Sequence, residues 1–228
     1  TKPVNEIKAL VGMGARTMMG KILWNQAKEE LKKVKEKDIK EEMVKEFINF
    51  YGDNILVESK LINGAKEFLN QVDTDKPWAC FVSVIEPHDP FISTKKYYDM
   101  YEDIELNLPK SFNDELLDKP NIYRRGKKVF ENMTKQDHVE CIRNYYAMIT
   151  EIDYEYGKII DLLEAKGELE NTIISFTSDH GEALASHGIY AKNLAAFEEI
   201  YRIPMIIAGP GIKENKESDD LVSSMDLC

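Results

Sequence analysis

The rhythm of apolar and polar positions changes several times along this chain. Three stretches are almost continuously apolar: Trp78 to Ile85 (WACFVSVI), Asn171 to Ser178 (NTIISFTS) and Ile203 to Gly211 (IPMIIAGPG). Short apolar runs bounded by turn residues suit strands covered on both faces, as in a parallel sheet. Elsewhere the period lengthens to three or four residues. Leu56, Leu61, Ile62, Ala65, Phe68 and Leu69 form one such stripe, which predicts a helix over Leu56–Val72. Val139, Ile142, Tyr146, Ile149, Ile152, Tyr156, Ile159, Ile160 and Leu163 form a longer one over Asp137–Gly167, with Gly167 as its stop. Strands alternating with helices predict an α/β fold, with a mostly parallel sheet sandwiched by helices. In such sheets function gathers at the carboxyl ends of the strands. Two of the predicted strands run into His-bearing loops there: Ile85 leads to His88, and Phe176 leads to Asp179-His180.

The remaining segments set the boundaries. Residues from about Gly20 to Phe50 read as a highly charged helical region, and residues 1–55 as a segment distinct from an α/β domain over 56–228. Asp73 to Pro77 breaks the chain, and Pro87 and Pro90 enforce a loop around His88. Phe91 to Asn132 is polar, aromatic and rich in turn residues, and predicts a long excursion with little regular structure.

Composition narrows the classes of function. The 228 residues carry a formal net charge of −11, which argues against nucleic-acid binding. The lysines between Lys28 and Lys45 alternate with Glu29, Glu30, Glu36, Glu41 and Glu42, as on a solvated, salt-bridged helix face. Three widely spaced cysteines, Cys80, Cys141 and Cys228, make neither a disulfide framework nor a zinc spacing, and Cys80 is expected to be a buried strand residue. Asn132-Met133-Thr134 is a glycosylation sequon of a kind that arises by chance. No segment approaches the ~20 apolar residues of a membrane span. No signal-peptide pattern is present and the sequence names no compartment. The chain opens on Thr1 and stops at Ser223-Ser224-Met225-Asp226-Leu227-Cys228, which sets the expectation of a fragment.

The chemistry concentrates in Asp179-His180-Gly181-Glu182. Adjacent side chains in a strand point to opposite faces, so Asp179 and His180 reach one ion only if the backbone leaves strand geometry after Ser178. Gly181 makes that bend cheap. A carboxylate beside a neutral imidazole suits a divalent cation. Oxygen ligands favour calcium or magnesium, and imidazole pulls toward manganese or zinc. The structural alternative is that Asp179 caps a following helix and His180 hydrogen-bonds within the loop.

The residues from Ala147 to Gly211 resemble the carboxyl-terminal part of the catalytic domain of sulfatases, in the alkaline phosphatase superfamily. The resemblance lies in Met148-Ile149 and Asp153 on the long helix, Asn171-Thr172-Ile173 before the strand, Thr177-Ser178-Asp179-His180-Gly181-Glu182, His187-Gly188 followed by Lys192, and Gly209-Pro210-Gly211. Lys76-Pro77 with Pro87-His88-Asp89-Pro90, and Ser223-Ser224-Met225-Asp226, are similar to further family segments. This resemblance implies that Asp179 and His180 are two ligands of a divalent metal, calcium for a sulfatase, with manganese or zinc open because His180 stands where many sulfatases carry asparagine. It implies that His88 contacts the transferred group and assists departure of the alcohol, and that Lys192 contacts the sulfate or its leaving oxygen. His187 either lines the substrate pocket or shapes the loop, and Glu198, Glu199 and Arg202 are expected to form a structural ion-pair region. The family nucleophile, a formylglycine made from Cys or Ser in a Cys/Ser-x-Pro-x-Arg motif, has no counterpart in these residues. It is expected in an amino-terminal part, with further metal ligands.

The expected function is hydrolysis of a small-molecule or saccharide sulfate ester, with the chain alone inactive. A phosphate or phosphonate ester hydrolase or phosphoethanolamine-type transferase of the same superfamily, and a non-catalytic pseudoenzyme, remain alternatives. Without its amino-terminal part the sheet edge is expected to be covered by a second copy of the chain.

Overall fold

The computed structural model describes residues 63–192 and 195–227. The charged segment 1–55 and the start of the predicted helix over 56–72 lie outside them. In chain order the elements are α1 (Asn63–Gln71), α2 (Lys95–Tyr98), α3 (Asn121–Lys128), α4 (Lys135–Ala165), β1 (Ile174–Thr177), α5 (Glu198–Tyr201) and β2 (Met205–Ala208). Short 3-10 turns follow α2 and α4, and others cover Ser186–Gly188 and Ser224–Leu227.

Helix α4 is the beam of this structure, about 46 Å long at 1.5 Å per residue. It starts earlier than its apolar stripe. The Thr134 hydroxyl accepts from the Asp137 N–H at 3.2 Å, and the Asp137 carboxylate accepts from the Thr134 N–H at 2.7 Å. The threonine of the sequon is therefore a helix cap. The helix ends where expected: Gly167 adopts φ +70°, and its N–H reaches the Glu164 carbonyl at 2.9 Å. One face of α4 buries His138, Val139, Ile142, Arg143, Ala147, Met148 and Ile152.

The excursion after Phe91 is more ordered than its composition suggested, because α4 holds it. Asn144 Oδ1 accepts from Ser93 N–H and Oγ at 3.1 and 2.9 Å, and the Tyr98 hydroxyl donates to Glu140 at 2.6 Å. The buried Arg143 donates to the Glu102 carbonyl at 3.0 Å. Helix α3 follows Pro120, whose fixed φ suits a helix entry. Turn residues and aromatics hide such short helices from a periodicity reading.

The sheet departs from expectation. Among the described residues it has two strands, and they pair antiparallel, Ile174 opposite Ala208 and Thr177 opposite Met205. A parallel pair needs a crossover that returns the chain to the starting edge, usually a helix along the sheet. Among its described residues the segment between β1 and β2 carries only a 3-10 turn and the single turn of α5, and the chain re-enters in the opposite direction. A continuous apolar run carries no information on strand direction. Residues 78–85 form no strand among the described residues, and Cys80 is exposed rather than buried. A strand requires a neighbour to complete its ladder, and this segment has none among the described residues, where Phe81 is 95% exposed.

Where α4 meets the loops, His138 is buried and stacks on Tyr190 with centroids 5.6 Å apart. Its Nδ1 lies 2.7 Å from the Tyr190 hydroxyl. Burial holds the His138 imidazole below its ordinary value. The unfolded chain therefore takes up a proton that the folded chain resists. Stability is fully present above the ordinary imidazole range and is lost as pH falls through it toward the folded value. We expect the thermal midpoint to drop between about pH 7 and about pH 5 and that component to vanish in His138→Gln. An identical pH slope in the two proteins would contradict this role.

Candidate active site

The site grows from the carboxyl end of β1. Thr177 Oγ1 donates to the Pro204 carbonyl at 2.9 Å, tying the last strand residue to the entry of β2. The chain then leaves strand geometry. Ser178 Oγ donates to the His180 carbonyl at 2.7 Å, and the Gly181 N–H donates to the Ile200 carbonyl of α5 at 2.8 Å. Gly181 is required here by proximity rather than by a left-handed bend, because a Cβ at this position would overlap the Glu199 carbonyl oxygen.

This turn leaves two lone pairs free. The Asp179 side chain is 85% exposed, with Oδ1 accepting from the His180 N–H at 3.0 Å. His180 Nδ1 lies 2.8 Å from the Gly181 carbonyl. A carbonyl only accepts, so Nδ1 carries the proton and Nε2 keeps its lone pair. Nε2 lies 3.6 Å from Asp179 Oδ2, close enough for one cation to touch both atoms. A neutral imidazole whose other nitrogen donates to a backbone carbonyl is the usual arrangement of a metal-ligating histidine. The pair thus fits part of a divalent metal shell. Among the described residues no group of three or more His, Cys, Asp or Glu could complete one. Asp179 caps no α-helix; the next element is the 3-10 turn at Ser186.

His88 arrives from the other predicted strand end. It lies between Pro87 and Pro90, each preceded by a cis peptide bond, and its N–H donates to the Ile85 carbonyl at 3.1 Å. Its Nδ1 is 2.8 Å from the Asp89 carbonyl and 3.0 Å from Asp89 Oδ1, so this ring also carries its proton on Nδ1. Nε2 accepts from the Lys192 ammonium. The His88 and His180 rings stand edge to face with centroids 6.2 Å apart. Asp179, His180, His88 and Lys192 are therefore gathered in one cluster.

His187 points elsewhere. Its Nδ1 binds Asp114 Oδ2 at 2.7 Å, its ring stacks on Phe197 at 3.8 Å, and its N–H donates to Ser111 Oγ at 3.3 Å. The Leu116 N–H and then His187 hold the Asp114 carboxyl below the usual range. Glu199 lies 4.0 Å from His187 Nε2, while Glu198 accepts the Arg202 N–H only through its backbone carbonyl.

Sequence reasoning assigned no role to Glu182, although it closes the same motif. Its Oε1 accepts from the N–H groups of Ala191 at 2.5 Å and Leu184 at 3.3 Å. Burial raises its carboxyl above the usual range, and those two N–H groups oppose the shift. Its signal was the spacing to Lys192, legible only once the loop was seen to close on itself.

The sulfatase family model matches residues 26–228, and the chain belongs to the sulfatase family. It is 33% identical over 169 residues to a choline-sulfatase of Rhizobium meliloti, covering 71% of this chain and 32% of that protein. Among solved structures it resembles the phosphonate monoester hydrolase of Agrobacterium radiobacter, with 28% identity and a TM-score of 0.55 over 64% of this chain and 31% of that one. It also resembles in fold a protein solved with its substrate D-glucosamine-2-N,6-O-disulfate, with a TM-score of 0.56 and 20% identity over 66% of this chain and 42% of that one. The chain spans about a third of the length of the curated relatives it matches.

The close approach at Gly181 is testable. Gly181→Ala must push α5 away from the turn, and should lower stability by about 1–3 kcal/mol, as overpacking does. The measurement is denaturant unfolding; an unchanged midpoint would show that the Glu199 backbone moves freely.

Proposed function

We propose that the protein carrying this chain hydrolyses sulfate esters of small molecules or saccharides, with Asp179 and His180 as metal ligands and His88 and Lys192 at the leaving group. The observation that supports this most is that His88, remote in sequence, meets His180 and Lys192 in one cluster. Asp179 and His180 would hold a divalent cation, which would supply positive charge to polarise ester oxygens; the resemblance favours calcium, and the imidazole admits manganese or zinc. The chain's own residues do the rest. Lys192 places an ammonium where negative charge develops. Its hydrogen bond to His88 Nε2 holds a proton between the two side chains, available to the departing alkoxide, while Asp89 keeps the His88 ring in one orientation. His187 acts on this reading by shaping the loop that delivers Lys192, and the nucleophile would be a formylglycine, which these residues do not supply.

A second reading, phosphonate or phosphate monoester hydrolysis, is supported by the likeness to phosphonate monoester hydrolase and by the shared Asp-His chemistry. The test is turnover of aryl sulfate, aryl phosphate and aryl phosphonate by the longer protein that carries this chain. We expect sulfate turnover that falls roughly 10²-fold or more in His88→Ala or Lys192→Ala. Faster phosphonate turnover would favour the second reading, and binding without turnover would point to a pseudoenzyme. The 228-residue chain alone should be silent, because no Cys/Ser-x-Pro-x-Arg motif occurs in it. Steady hydrolysis by it, abolished in His88→Ala, would reveal another nucleophile.

The chain alone should also self-associate. Ile206 of β2 and Ile173 next to β1 are exposed, as are Phe81, Leu221 and Met225 elsewhere, and the outer edges of the two-stranded sheet have no partner among the described residues. Light scattering should give at least twice the monomer mass, reduced by Ile206→Lys. A strictly monomeric wild type would overturn this.

A further inference from the structure

We propose that Glu182 is a positioning residue: its half-buried carboxylate closes the neck of the 183–191 loop and thereby sets Lys192 against His88. The loop is made of conformations that a chain does not hold unaided. Leu184, Ala185, His187 and Ala191 all have positive φ, at 41°, 70°, 55° and 65°. Non-glycine residues persist there only where the surroundings over-determine them. Inside the loop the backbone bonds to itself: Ser186 N–H to Ala183 carbonyl at 2.7 Å, Gly188 N–H to Ala185 carbonyl at 2.9 Å, and Ala185 N–H to Ile189 carbonyl at 2.9 Å. Beneath it Ala183 and Ile189 pack with Ala195 and Ile200. Neither the Leu184 nor the Ala191 N–H takes part in those internal bonds. Both go to the same oxygen, Glu182 Oε1.

The geometry makes that oxygen a clamp between two halves of the site. Glu182 lies two residues beyond His180, and Ala191 lies one residue before Lys192. One carboxylate thus links the turn that presents the Asp179-His180 lone pairs to the residue that grips His88. Losing the clamp frees the two positive-φ residues that adjoin it and releases the root of Lys192, while the apolar base of the loop stays packed. The role needs an acceptor oxygen at the reach of a glutamate. Glutamine supplies that oxygen, aspartate falls one methylene short, and alanine has none.

The relevance of this clamp to catalysis rests on the assignment of His88 and Lys192 proposed above, so the test uses no turnover. In the chain labelled with 15N-histidine, the His88 ring resonances report its contact with Lys192, and Lys192→Met defines their shift when the contact is absent. We expect Glu182→Gln to keep the wild-type His88 resonances, and Glu182→Ala and Glu182→Asp to move them to the Lys192→Met position. Near-UV circular dichroism checks that each variant is folded. If Glu182→Ala does not fold, the aspartate and glutamine variants carry the comparison. Wild-type His88 resonances in Glu182→Asp, loss of them in Glu182→Gln, or no response to Lys192→Met would each overturn the proposal. A failed sulfatase assay with the expected resonances would instead remove the functional reading and leave the clamp standing.

Discussion

At the end of β1 the backbone must leave the sheet and still find partners for its half-buried polar groups, and the arrangement of the site follows from how it does so. An unpaired backbone group screened from water costs about as much as a lost hydrogen bond. Ser178 therefore bonds the His180 carbonyl, Gly181 bonds Ile200, and Glu182 bonds the amides of Leu184 and Ala191. Every one of these bonds uses atoms other than Asp179 Oδ2 and His180 Nε2. The turn is held by other atoms, and those two are left out of its hydrogen bonds. That is the condition for a preorganised site, in which the supporting bonds are complete before any ligand arrives.

The same logic scales up through α4. His88 and Lys192 are separated by 104 positions, and each is fixed by an aromatic a few residues away. Phe91 packs edge to face on Tyr145 of α4 at 5.6 Å, and Tyr190 stacks on His138 of α4. Phe91 and Tyr190 also meet each other at 6.1 Å. Two loops with little regular structure are thus registered on one rigid helix.

The four histidines divide by what holds Nδ1. In His88 and His180 the partner is a main-chain carbonyl, which leaves Nε2 with a lone pair facing the cluster. In His138 and His187 it is a side chain, Tyr190 or Asp114, and the rings are stacked on aromatics. The first arrangement exposes chemistry and the second consumes it. Although the chain is acidic, Lys192 brings a cation to this cluster.

Local pattern alone determined a good deal. The α4 stripe, its glycine stop and the β1 and β2 cores each follow from a period or a punctuating residue, and these depend on a few neighbours in sequence. Asp179, His180, His88 and Lys192 were picked out by two separate segments, 87–90 and 177–192, through their resemblance to a known family and their place after apolar runs. Tertiary structure decided the rest. The direction of β2 relative to β1 depends on where the intervening loop is anchored, which no apolar run records. Whether 78–85 is a strand, and Cys80 buried, depends on a neighbouring strand and not on its own residues. Gly181 is set by the approach of Glu199, and Glu182 by a loop that closes on it. These are contacts between segments, and a sequence read locally has no term for them.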